Sequence, residues 1–299
     1  MRPIARVLVG LAKGNARPQR AGFLQSVTGH FCGSHQDEAM VSCGLDRHHF
    51  VISDSEFTGS TRLLLKRPSF CPIKHLEERQ AASLPEELRG RGVDVGVAVV
   101  LQSVDRRVLL TRRAKDLRNS PNIWVPPGGH VDVDEQLLEA GLRELLEETG
   151  LRLEPASFSW RMLGLWEAVY PPLLSRGLPR HHHIVTYLLL LSTESSQQLQ
   201  RRITADKHEV SAYAWLEPPV LEAVAAIKDG AGSMRSVPSH LPQTIKATEL
   251  SGGSAQPMEL LTATFLNAAP ATGQDVERVS TGTRFALRLW LDTLGARAM

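Results

Sequence analysis

Residues 129–151 read GHVDVDEQLLEAGLRELLEETGL, and three of the acids in that run could share one chemical task. Glu144, Glu147 and Glu148 stand at i, i+3 and i+4, so a helix over residues 136–148 gathers three carboxylates on one patch of its surface. Like charges at that spacing repel by a few tenths of a kcal/mol per pair. A hard divalent ion with oxygen ligands, Mg²⁺ or Mn²⁺, resolves that repulsion. The alternative is a solvated acidic face on which Arg143 compensates Glu139 and Glu147, each four residues away. On either reading, Leu138, Leu142, Leu145 and Leu146 are expected to form a stripe toward a core, with Asp134 as the cap and Gly150 as the stop.

The wider spacing separates the two readings. Gly129, five residues, Glu135, seven residues, and then Arg143-Glu144-Leu145-Leu146-Glu147-Glu148-Thr149-Gly150-Leu151 fits every defined position of the nudix box, and the chain resembles the nudix hydrolase superfamily. That resemblance implies an α/β/α sandwich that hydrolyses a nucleoside diphosphate linked to another moiety. It implies Glu144, Glu147 and Glu148 as metal ligands, Gly129 as a carbonyl ligand, and Glu135 and Arg143 as the residues that hold those carboxylates in place. Glu209, six residues before Trp215, has the spacing of an extra catalytic glutamate in the bacterial antimutator branch, so Arg143, Glu144, Glu147 and Glu209 form the expected catalytic set. The chemistry suits such a set, because cleavage of a pyrophosphate gathers negative charge on phosphoryl oxygens and needs an activated water.

Upstream, LLTRRAKDLRNSPNIWVPPGG places Arg112 and Arg113 at a strand end as candidate substrate contacts, and the similar TRRA of the antimutator branch, which uses its second arginine on phosphate, makes Arg113 the candidate phosphate clamp. The same stretch is similar to the coenzyme A pyrophosphatase signature, except that Asn122 replaces a glycine and Pro126 a phenylalanine. A closer resemblance, carried by RGVDVGVAVVLQS, SPNIWVPPGGHV, GLPRHHHIVTYLLL and ERVSTGTRFALRLWL, is to the branch of the superfamily that hydrolyses the N7-methylguanosine cap of RNA. It implies capped RNA or another nucleotide-type substrate. Trp124, and also Trp166 and Tyr170, are candidate faces for a cationic methylated base, although each residue type is more often core packing. A catalytically silent scaffold that binds RNA or nucleotide is the non-enzyme alternative, disfavoured by the retention of all three glutamates. His181, His182 and His183 cannot converge on one ion if they lie on a strand, since neighbours there face opposite ways. Cys32, His35, Cys43 and His48 match no common zinc-finger spacing.

The elements that must position these residues follow from the hydrophobic patterning. Two β-rich runs around residues 93–113 flank the turn-prone Ser103-Val104-Asp105, and the glutamate helix is followed by further strands and a helix. Mixed strands and helices argue for an α+β class or α/β/α sandwich over residues 92–227, which the resemblance implies is the nudix α/β/α sandwich. Residues 1–91 read as a β-rich extension, 228–258 as a linker or disordered loop rich in Gly, Ser and Pro, and 259–299 as a C-terminal helical segment whose apolar stripe is Phe285, Leu289 and Trp290.

A net charge of +2 over 299 residues implies no polyanion-binding surface by itself, so any nucleic-acid contact must be a local patch. Three cysteines suggest no disulfide framework. No apolar run reaches the roughly 18–20 residues that cross a bilayer, so no membrane partner is expected and the location is expected to be cytoplasmic. Residues 1–36 are basic and free of acid, as mitochondrial transit peptides are, yet Ile4, Val7, Val9 and Leu11 alternate like a first strand. The sequence names no protein partner.

Overall fold

The computed structural model describes residues 6–14, 16–33, 35–46, 48–228, 237–251, 254–269 and 276–295. From the N-terminus come strands β1 (Leu8–Ala12) and β2 (Gln19–Arg20), helix α1 (Val27–Phe31), strands β3 (Glu38–Asp46), β4 (His49–Ser53) and β5 (Thr61–Lys66), and the short helices α2 (Glu78–Ala82) and α3 (Glu86–Arg89). Strands β6 (Asp94–Gln102), β7 (Val108–Arg113), β8 (Ile123–Val125) and β9 (Gly128–His130) lead to helix α4 (Leu137–Thr149). Next are β10 (Phe158–Tyr170), β11 (His181–Ser192), α5 (Ser196–Gln200), β12 (Val210–Leu216) and α6 (Pro218–Ala225). The chain closes with β13 (Thr244–Ser251), β14 (Ser254–Leu261), α7 (Thr262–Phe265), β15 (Arg278–Val279) and α8 (Thr281–Gly295).

These elements fall into two compact units, each discontinuous in sequence. The first unit holds Met1–Val97, Gly129–Ala140 and Met162–Tyr187. In it β1 pairs in parallel with β4 (Val9↔Phe50, Leu11↔Ile52) and antiparallel with β2. Strand β3 joins β4 to β5 by antiparallel pairing, and β5 meets β10 in parallel at Leu165↔Leu65. Val9, Phe50, Ile52, Leu65 and Val95 are fully buried between these strands. Val7, Val9 and Leu11 are buried as a first strand requires, whereas Ile4 lies outside the described residues. A buried acid anchors α1: Glu167 accepts the backbone N–H of Val27 and of Thr28, both at 2.8 Å, and faces His182 Nε2 at 3.1 Å. Burial alone would raise its pKa, but these hydrogen bonds and the neighbouring His182 hold it down at about 2.

The second unit holds Ala98–Gly128, Gly141–Arg161 and Leu188–Met299, and its strands run in the order β14-β13-β12-β7-β6. Strand β6 is buried at every position; residues 97–101 are an unbroken run of Val, Ala and Leu, and the buried polar ends Asp94 and Gln102 are paired with Arg91 and Trp290. The turn from β6 to β7 closes with Ser103 donating its N–H to Arg107 O and with Arg106 in the left-handed region, φ 61. Strand β8 pairs with β7 (Arg112↔Trp124) and with β15 (Val279↔Trp124).

Part of the segment expected to be a linker is instead a hairpin, with β13 added antiparallel to β12 (Tyr213↔Thr248) and β14 to β13. Ile245 and Ala247 are buried while Lys246 is exposed, a period-2 pattern that the Gly and Ser content masked. Ser251 pairs with Ser254, leaving Gly252 and Gly253 as the connection; they and residues 229–236 lie outside the described residues. Helix α8 begins where Ser280 Oγ accepts the Thr283 N–H at 3.0 Å, a side-chain cap. Phe285 and Trp290 are buried, the Trp290 indole donates to Gln102 Oε1 at 2.6 Å, and Leu289 is half-buried. Among the described residues no helix is long and apolar enough to cross a membrane.

Candidate active site

Helix α4 does not divide into a leucine face and an acid face. Glu144, Leu145 and Glu148 are buried together, at 9%, 0% and 5% exposure, while Leu146 is exposed and Leu142 half-buried. Leu142 and Leu146, expected in the core, border a cavity of about 320 Å³ with Arg152, Leu153 and Pro155. The expected Asp134 cap is also displaced. Helix α4 starts at Leu137, Gln136 precedes it, and Glu139 accepts the Gln136 N–H at 2.8 Å, while Asp134 is exposed at φ 74 and 3.4 Å from His48. Gly150 ends the helix at φ 71, and a Cβ there would run into Thr204 Oγ1, so both backbone and space demand glycine.

Burial of two carboxylates on one helix is costly, and the electrostatics record it. Burial, then Gly128, Arg113, Glu209 and Glu144 in order of influence, leave the Glu148 pKa raised to about 8. Glu144 is raised as well, by burial first, against the opposing pull of Arg143. Glu148 accepts the Gly128 N–H at 3.2 Å and the Thr111 hydroxyl at 3.3 Å. Arg143 Nη1 bridges Glu144 at 2.7 Å and Glu147, the exposed member, at 3.2 Å.

Glu209 reaches this cluster through the backbone. The end of α4 is hydrogen-bonded to the segment that follows α5: Thr204 N–H donates to Thr149 O at 2.8 Å and Asp206 N–H to Glu148 O at 3.0 Å. The turn from Asp206 then places Glu209 beside the end of β7, where Ala114 N–H donates to Glu209 O at 2.8 Å. Glu209 is exposed and close enough to raise the pKa of Glu144 and Glu148. Arg113 is the cation next to Glu148 and donates to Asn119 O. The second unit therefore gathers Arg113, Arg143, Glu144, Glu147, Glu148 and Glu209.

A hard divalent cation suits that set. All four acids offer oxygen, and with all four ionised, as metal ligands must be, four carboxylates against two guanidiniums leave two negative charges for a cation to balance. Among the described residues no three His, Cys, Asp or Glu side chains form a ready ligand set. Their oxygens are instead occupied by Arg143, the Gly128 N–H and Thr111.

Two sequence-predicted substrate residues are committed elsewhere. Arg112 donates to Ser211 Oγ at 2.9 Å, Glu249 at 2.9 Å and Glu277 at 3.1 Å, which engages all three of its guanidinium nitrogens. Trp124 is 0% exposed, packs on Phe265 and donates its indole N–H to Glu277 at 2.9 Å, so no face is open to a base. Glu249 and Glu277 lie more than a hundred residues from both, beyond any local signal. Gly129 and Glu135 belong to the first unit. There Glu135 accepts the Asp132 N–H at 3.2 Å, and the Gly129 carbonyl would lie 3.1 Å from a Cβ at Gly96. The three histidines alternate as a strand requires: His182 is buried, and His181 and His183 are half-buried. Asn122, which replaces a glycine of the coenzyme A signature, sits at φ 57 and keeps the left-handed backbone that glycine would allow.

Residues 92–237 match the family profile described as NUDIX domain. Over its length the chain is 56% identical to the m7GpppN-mRNA hydrolase NUDT17 of Xenopus laevis, covering 98% of this chain and 97% of that one. It is 53% identical to the protein of the same name from Danio rerio, covering 98% of each. Among solved structures, the dihydroneopterin triphosphate pyrophosphohydrolase of E. coli is 23% identical, with a TM-score of 0.34 over 46% of this chain and 89% of that one. The chain belongs to the nudix family.

Proposed function

We propose that this chain hydrolyses the phosphoanhydride of N7-methylguanosine-capped RNA, releasing N7-methyl-GDP and 5′-monophosphate RNA, with Mg²⁺ or Mn²⁺ bound at the acid cluster. The observation that carries the reaction class is the pair of buried carboxylates, Glu144 and Glu148, with Glu209 beside them. The substrate rests on the near full-length identity to proteins named m7GpppN-mRNA hydrolase.

Nudix hydrolases generally use divalent metals. Glu144, Glu147 and Glu148 would hold them. When bound, such ions supply positive charge against the phosphoryl oxygens and make water more acidic. The chain's own residues do the rest. Arg143 keeps Glu144 and Glu147 oriented by charge-assisted hydrogen bonds, as the Gly128 N–H and Thr111 do for Glu148. Arg113, whose charge acts on Glu148 while its guanidinium donates to Asn119 O, binds the phosphate being cleaved. Glu209, exposed and held beside the end of β7, takes the proton from attacking water on its carboxylate. Glu135 supports the loop before the helix through the Asp132 N–H.

Incubating the purified chain with Mg²⁺ and then Mn²⁺ on capped RNA, coenzyme A and dinucleoside polyphosphates in parallel tests the proposal. N7-methyl-GDP from capped RNA is the expected product; 3′,5′-ADP from coenzyme A with intact capped RNA would overturn the substrate assignment.

A further inference from the structure

A second concentration of charge lies in the first unit and takes no part in the chemistry above. Arg6 Nη1 is 3.6 Å and Arg91 Nη2 3.5 Å from the same oxygen of Asp94, whose side chain is 12% exposed while the arginines are 42% and 40% exposed. Arg20 is exposed and donates to Gly90 O at 3.2 Å, next to Arg91 in sequence. Arg180, also exposed, stacks 5.3 Å above the Tyr170 ring, and that ring lies 6.3 Å from His181. His181 is surrounded by Arg91, Arg180, Arg6 and Asp94, and burial followed by these arginines holds its pKa below the ordinary range. At neutral pH it is an uncharged imidazole with one donor and one acceptor.

The acids that act on His181 and on its neighbour His130 are Asp94 and Asp132. Four arginines against two acids leave positive charge in surplus, which favours an anionic ligand. The arginines come from the segments before β1, β6 and β11 and from β2, and each presents exposed side-chain surface, so the charge is spread over several segments. A spread of guanidiniums with an arginine stacked on tyrosine and a neutral imidazole suits a polymer of phosphates with bases and sugar hydroxyls.

We propose that Arg6, Arg20, Arg91 and Arg180 form a binding surface for the phosphodiester backbone of single-stranded RNA, with the Arg180–Tyr170 stack as a platform for a base. The inference rests on the reading of capped RNA as the substrate and assigns the part of it beyond the cap. It is tested on the full chain by fluorescence anisotropy with a labelled 12-nucleotide 5′-monophosphate RNA, in parallel with cleavage of the cap dinucleotide, which has no RNA body. The double variant Arg91→Ala/Arg180→Ala is expected to bind the oligonucleotide about tenfold more weakly, and its slope of log affinity against log salt is expected to shrink by roughly 1.4, two phosphate contacts at about 0.7 each. Arg91→Lys/Arg180→Lys should keep most of that slope, which separates lost charge from lost structure, and dinucleotide cleavage should be unchanged in both variants. Oligonucleotide binding with the parent's affinity and slope in the alanine variant would overturn the proposal. So would an equal loss on the dinucleotide, or a loss confined to anionic phosphatidylserine vesicles. A parent that cleaves the dinucleotide but binds no RNA defeats this surface alone, whereas arginine-dependent RNA binding without cleavage of any capped substrate defeats the proposed function.

Discussion

Two neighbouring arginines behave differently because a strand turns alternate side chains to opposite faces. Arg113 is the charge beside Glu148, whereas Arg112 is hydrogen-bonded to Ser211, Glu249 and Glu277. Arg113→Ala is therefore expected to lower kcat/KM on capped RNA by roughly 10- to 100-fold with little change in Tm, as loss of an interaction strongest in the transition state would. Arg112→Ala should do the reverse, lowering Tm by stranding two acids while steady-state kinetics of the surviving fold stay near the parent's. A common effect of both variants on KM would contradict this division. The resemblance to the antimutator branch singles out Arg113 as the phosphate clamp, but sequence alone leaves Arg112 a substrate candidate beside it, because the partners of Arg112 are remote. The acid triplet was legible for the opposite reason, because its spacing is local.

Glu167 gives the pH dependence at the same scale. Its folded pKa of about 2 lies below the ordinary carboxylate value, so its contribution to stability is present above pH 4.5 and is lost as pH falls through the folded value. Glu167→Gln is expected to cost about 3 kcal/mol in denaturant melts at pH 7, and the gap to the parent should narrow between pH 4.5 and 2. A gap that does not change with pH would mean that the ionised carboxylate is not what holds α1.

At the scale of elements, the end of α4 is the joint that brings Glu209 to the other acids. Gly150 sits at φ 71 against Thr204, and the following Thr204 and Asp206 N–H groups satisfy carbonyls at the end of the helix. Gly150→Ala should destabilise the fold by about 2 kcal/mol or more and lower kcat further than the stability loss explains, because the turn carrying Glu209 must shift. Adding Thr204→Ala relieves one clash but not the backbone strain, so recovery should be partial; full recovery would show that φ at Gly150 does not matter. Periodicity forecast the helix and its glycine stop but misassigned its faces. A leucine stripe is the default core, and only the surrounding chain could reveal that two carboxylates take the buried side. The β13–β14 hairpin was missed for a related reason: a short alternating run was outweighed by the Gly and Ser around it, and pairing with β12 supplies what propensity does not.

For the whole molecule, the nudix profile ends at residue 237, but the buried core of the second unit does not. Trp124 packs on Phe265, Trp290 is fully buried against Gln102, and Arg288 donates to Ala225 O and Ile227 O. A chain truncated after residue 237 is expected to lose cooperative melting because it exposes that core, and a truncated protein that melts with the parent's Tm would contradict this. Fold class and reaction class could be read from one motif. The dependence of the family core on its C-terminal segment could not, since it is written in contacts between distant positions.

The central claim is that Glu144 and Glu148, buried together, hold a divalent cation that the reaction requires. Mn²⁺ titration of the parent and of Glu144→Gln/Glu148→Gln, read by electron paramagnetic resonance alongside release of N7-methyl-GDP, tests it most directly. The account predicts that the variant stays folded, with a metal-free Tm at or above the parent's, while Mn²⁺ affinity falls at least about 100-fold and turnover is abolished. A folded variant that binds Mn²⁺ and releases product as the parent does would contradict it.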